Sequence, residues 1–166
     1  MDTAVSNGNL TFNGPFEAGM RAVAILAAAF PRELDIQRLT AFDYLLVHTE
    51  MLGGPEDLHP ETPISTPATQ VRRSIVQDGL HLMMTRDLVA RSAREDGIVY
   101  QAGELAETFL DALQSPYSTE LKSRATWLVD HLGSYEEGEF DKLMRRFFDQ
   151  WVMEFQHVEQ SLGGPT

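Results

Sequence analysis

Residues 88–110, LVARSAREDGIVYQAGELAETFL, decide the fold. Two short runs with weak period-two alternation, Leu88–Arg94 and Ile98–Gln101, flank Glu95-Asp96-Gly97. Asp-Gly favours a tight hairpin turn, because glycine accepts positive φ at no steric cost. After the second run the period lengthens to that of a helix, predicted over 103–114 with Leu105, Phe109 and Leu113 inward. Strand, turn, strand, helix is the outline of a winged-helix wing.

The segments before the hairpin suit that outline. Pro15 at a first helical position predicts a helix over 15–30. Its apolar residues, among them Phe16, Met20, Val23, Ile25, Leu26 and Phe30, run nearly all round it, so burial is expected. Asp35 is an N-cap for a second helix reaching Met51, with Ile36, Leu39, Phe42 and Leu46 inside. The stretch GGPEDLHPETPISTP, 53–67, has four prolines and two glycines and predicts a long irregular loop. Thr66-Pro67 then reads as N-cap and first residue of a third helix to Met84. Val71, Ile75, Val76, Leu82 and Met83 share its apolar face, and Gln70, Arg73, Ser74, Gln77 and His81 the opposite one.

Ser115-Pro116 opens a helix to Leu132, with Tyr117, Leu121, Ala125, Leu128 and Leu132 inward and Gly133 ending it. A last helix is predicted over 139–160. Its apolar stripe of Phe140, Met144, Phe147, Trp151, Phe155, Val158 and Leu162 steps by three and four. The expected fold is mainly α with a small β-hairpin wing. Its parts are a disordered lead (1–11), a winged helix-turn-helix domain (12–114) and a C-terminal helical extension packed on it (115–166).

Charge sets a puzzle. The formal net charge is −12, which opposes non-specific binding to phosphate backbones. Yet residues 70–94 hold five arginines against two aspartates, a local +3 that leaves −15 elsewhere. In a winged helix the third helix can enter the major groove while the wing lies on the backbone. Arginine can pair with guanine edges and glutamine with adenine. Gln70, Arg72, Arg73, Gln77, His81, Arg91 and Arg94 are therefore the candidate DNA- or partner-binding residues. A polar helix face is equally well a solvated one, or a protein-binding one.

Phe147, Trp151 and Phe155 have two readings. They are core packing against the 116–132 helix, or anchors laid into a partner's groove or dimer seam. The five histidines show no metal-ligand spacing, and the absence of cysteine excludes disulfides and thiolate sites. Asp43, within AFDYLLVH, is a base with a raised pKa or, more ordinarily, a buried acid bonded to backbone or arginine. The acids at 136–141 favour a helix N-terminus. No nucleophile elbow or phosphate loop is present. Neither catalysis nor a cofactor is expected, nor a membrane span, and a cytoplasmic location fits best.

The segments FNGPFEAGMRAVAIL, LTAFDYLLVHTEMLGGPEDLHPETP, VRRSIVQDGLHLMM and FLDALQSPYSTELKSRATWLV resemble the middle component (type 2) of bacterial ABC three-component systems, over roughly residues 12–132. Those systems include Lamassu-type anti-phage defence. The resemblance implies a non-catalytic winged-helix adaptor. It would link an SMC- or Rad50-like ATPase to an effector, often a nuclease, with any DNA contact made inside the complex. The alternative from the residues alone is a winged-helix transcription regulator.

Overall fold

The structure of the protein, a computed structural model, describes residues 14–60, 66–133 and 136–147; residues 66–69, 137, 146 and 147 enter by backbone alone. The expected N-terminal lead, 1–11, lies outside them. Helices α1 (Pro15–Ala29), α2 (Ile36–Leu46) and α3 (Thr66–Met84) precede strands β1 (Val89–Arg94) and β2 (Gly97–Ala102). Helices α4 (Ala106–Ala112), α5 (Pro116–Leu132) and α6 (Glu137–Phe147) follow. The fold is mainly helical with one small antiparallel hairpin.

Helix α1 is the hub. It packs against α3, α5, α2 and α4, and most of it is buried, from Ala18 through Leu26. Its ends differ from expectation, since Phe16 and Phe30 are exposed where α1 runs past its neighbours. Helices α1 and α3 cross at paired glycines. A Cβ at Gly79 would stand 2.6 Å from both Gly19 N and Pro15 O, so only glycine permits this approach. The crossing also sets which side of α3 is buried. Val76, Gly79, Leu80 and Met83 face inward, whereas Val71, expected inside, is exposed.

Asp35 caps α2 as expected, its carboxylate accepting from Arg38 N at 2.8 Å. The helix stops at Leu46 instead of Met51 because Val47 O is taken by Leu58 N and His59 N, at 3.0 and 3.3 Å. A 3-10 turn, Thr49–Leu52, follows and ends at Gly53, whose φ of 76° is left-handed. The proline-rich loop is irregular, but residues 53–60 are firmly held. Thr49 Oγ1 donates to Pro55 O at 2.6 Å, Glu50 and Asp57 bond each other's backbone N–H, and Arg124 donates to Glu56 O.

Helix α3 ends with Leu88 N bonded to Met83 O and Asp87 at φ 61°, the left-handed closure that short polar side chains tolerate. The hairpin follows in register Val89↔Ala102 to Arg94↔Gly97. Its two-residue turn is Glu95-Asp96, both at negative φ, and the positive φ falls at Gly97, one place later than the Asp-Gly reading implies. A bridge to a third backbone segment extends the hairpin. Leu34, between α1 and α2, exchanges both hydrogen bonds with Tyr100, at 2.8 and 2.9 Å. Helix α4 begins at Ala106 because Gly103 N and Leu105 N bond Leu88 O and Asp87 O. Leu105 is consequently exposed, and Ala106 and Leu110 face inward.

Ser115 caps α5, accepting from Ser118 N at 3.1 Å. Leu121, Ala125, Leu128 and Leu132 bury against α1 and α2 in the same core as the first three helices. Each fully buried leucine is worth about 1.5–3 kcal/mol. Gly133 closes the helix in right-handed geometry, without the left-handed turn usual for glycine. Of the terminal stripe, Phe140 and Met144 are buried. Phe140 meets Phe42 of α2 edge-to-face at 5.8 Å, and Arg38 stands 4.6 Å from its ring centre.

Candidate functional site

The outward face of α3 and the hairpin form one polar surface. Gln70 and His81 are exposed, and Arg73 and Gln77 half-buried. Arg91, on β1, is exposed, opposite Tyr100 on β2. The Tyr100 hydroxyl is raised in pKa by burial, against the opposing pull of Arg91 and Arg73. Those two arginines, 18 positions apart in the sequence, thus act electrostatically on one tyrosine.

Arg94 is exposed but bound, its guanidinium meeting Glu33 at 3.1 and 2.5 Å. With Gln101 Nε2 donating to Pro31 O at 2.8 Å, this ties the hairpin to the α1–α2 connection. The Phe147 side chain, Trp151 and Phe155 lie outside the described residues.

Arg72, another of the candidate binding residues, turns partly inward. Its Nη1 donates to Asp43 Oδ2 at 2.5 Å, and the guanidinium lies 5.1 Å from the Tyr44 ring centre. Asp43 is buried and also bonds Arg21 at 2.7 Å. Burial alone would raise the Asp43 pKa, but the charges and hydrogen bonds of Arg21 and Arg72 prevail and hold it below the usual carboxylate range. Asp43 is therefore the ordinary buried acid and not a poised base.

The network continues. Arg21 hydrogen-bonds the Tyr117 hydroxyl, and Tyr117 is 2.7 Å from His59 Nε2. Burial, then the charge of Arg21, depress the His59 pKa from 6.5 to about 4. At neutral pH the ring is uncharged, and its Nε2 shares a hydrogen bond with the Tyr117 hydroxyl, which also accepts from Arg21. One polar chain, Arg72–Asp43–Arg21–Tyr117–His59, so joins α3, α2, α1, α5 and the proline-rich loop. Sequence reading missed Arg21. Its signal was a lone charge inside GMRAVAIL.

These features define a class, a helical domain carrying a hairpin with a polar outer face over a closed ionic core. The family model for the ABC-three component (ABC-3C) system Middle Component 2 matches residues 11–154, and the chain belongs to that family. It is a component of an ABC-3C system, and that membership implies partner components. No curated protein and no solved structure matches the chain. No described helix is long and apolar enough to cross a membrane.

Proposed function

We propose that the chain serves its system as a non-catalytic winged-helix adaptor. It links an SMC- or Rad50-like ATPase to a nuclease-type effector in a cytoplasmic, Lamassu-like anti-phage complex. The family match carries this reading. The order helix, bridge residue, helix, helix, hairpin supports the winged-helix assignment to 12–114, with 115–166 as an extension. The ionised, solvent-excluded state of Asp43 supports a structural role for that acid, since a group held charged by two arginines is a poor proton acceptor. The partner surface is the α3 face and hairpin, with Gln70, Arg73, Gln77, His81 and Arg91.

Co-expression with the other components of its system tests the reading. An ATPase–adaptor–effector complex should co-elute in size exclusion, and Arg73→Glu with Arg91→Glu should dissociate it while leaving the chain folded. Elution of the chain alone beside its neighbours' products would overturn the adaptor role. The second reading, a DNA-binding regulator, is favoured by the positive field of Arg73 and Arg91 on this face, felt at Tyr100. It requires one duplex sequence to be preferred over others at fixed salt, since phosphate contacts alone do not discriminate.

A further inference from the structure

A second surface, sharing no residue with the α3 face, carries the opposite charge. A groove of about 590 Å³ runs between α1, α4 and α5 at the foot of the hairpin. Its floor is Ala24, Ala27 and Ala28 of α1, at helical i, i+3, i+4 spacing, and Ala106 and Leu110 of α4 form a wall. Phe30, 61% exposed, stands at one edge. Glu104, Glu107 and Asp111 line the rim, all exposed and with no ion-pair partner among the described residues. Among the described residues the sole cation lining the groove, Lys122, is engaged elsewhere, donating to Leu110 O at 2.8 Å and Leu113 O at 2.9 Å at the end of α4.

We infer that this groove docks a basic amphipathic helix of a partner protein. The floor suits it because small side chains let an apolar helix face approach closely, with anchors at i, i+3, i+4. The rim selects sign. Glu107 and Asp111, four apart on α4, repel one another, and Glu104 just before the helix adds a third carboxylate without an ion-pair partner among the described residues. A second copy brings a formal −12 overall, and its local +3 over residues 70–94 is held on a folded helix and hairpin that offer no free apolar helix face to the groove floor. The assignment stands on the groove and not on the adaptor reading, and its probe needs no ATPase.

The test titrates the full chain with two labelled peptides, identical in their leucines at helical spacing, one with lysine and one with glutamate at the polar positions. The lysine peptide should bind at least about tenfold tighter at low ionic strength, an advantage that shrinks with salt. Because the acidic chain attracts any cation, local variants decide. Glu104→Lys, Glu107→Lys and Asp111→Lys together should reverse the preference. The same charge change at exposed Asp78, Glu95 and Asp96 should leave the preference for lysine standing. Ala28→Trp, filling the floor, should weaken both peptides. Equal effects of the two triple variants, or binding indifferent to Ala28→Trp, would overturn the proposal. So would a dimer in sedimentation that only the groove variants dissociate, since that places a second copy there.

Discussion

Replacing Asp43 by Asn removes the one negative charge shared by two arginines while keeping the side chain's shape. Arg21 is 3% exposed and Asp43 2%, so the change strands a guanidinium away from solvent. Removing one partner of a buried pair costs about 3–5 kcal/mol. Arg72 is a different case, because its side chain is 21% exposed and its loss leaves a balanced Arg21–Asp43 pair. Arg72→Gln should therefore cost about 1–2 kcal/mol, the lower part of the range for a hydrogen bond to a charged group. At about 2–4 °C per kcal/mol for a chain of this size, Asp43→Asn should lower Tm by about 10 °C and Arg72→Gln by a few degrees. Arg21→Met with Asp43→Leu should cost less than the sum of the two single changes, since neither charge is left alone. Urea titration followed by circular dichroism measures the parent chain, Asp43→Asn, Arg72→Gln, the single changes Arg21→Met and Asp43→Leu, and their double variant. If Asp43→Asn costs no more than Arg72→Gln, or the double variant costs the full sum, the shared-charge account is wrong.

Gly79→Ala should destabilise by about 1–3 kcal/mol, because its methyl meets the α1 backbone, which cannot yield as a side chain does. Thermal melts of this variant beside an alanine substitution at exposed Ser74 check it, and equal Tm values would refute the close crossing. The His59 pair predicts a pH dependence. Its folded pKa of about 4 lies below the ordinary 6.5, so between these values the unfolded chain binds more protons. Stability is then complete above about pH 6.5 and declines as pH falls towards 4. Asp43, whose pKa is depressed, loses its contribution only at lower pH. Urea midpoints across this window should flatten in His59→Gln, and an unchanged slope would exclude His59 as the source.

Much of the fold was legible because period and caps report it locally. Asp35, Ser115 and Pro15 mark starts that the structure keeps, and the α5 stripe buries as its spacing implies. The failures have a common physical origin in groups captured by distant parts of the chain. Val47 O goes to Leu58 and His59, so α2 stops early. Gly79 against Gly19 rotates the buried side of α3, which exposes Val71. The first half of the proline-rich loop is held by carbonyls and by Arg124, none of which has a local sequence signature. For the candidate site, charge was legible in the sequence but pairing was not. Arg73 and Arg91 stay on the outer surface, but the neighbouring Arg72 turns into the core, a distinction that charge counting in residues 70–94 cannot make.

The two lone charges in apolar runs, Arg21 in GMRAVAIL and Asp43 in AFDYLLV, hold the wider lesson. A charge inside a buried helix requires a partner, and two such helices of opposite sign constrain each other. The constraint reaches past the pair, because Arg21 also fixes Tyr117 and, through it, His59. Helix α5 is therefore part of the same packed body as the first three helices, bonded to their ionic core and to the loop that precedes α3. The acidity of the chain and the local basicity of its outer face cease to conflict on this view. The arginine that balances the interior is Arg72, Arg73 and Arg91 belong to the outer face near Tyr100, and the acids at a different groove have no ion-pair partner among the described residues. On the reading proposed above, two surfaces of opposite sign would each exclude the other's ligand by charge.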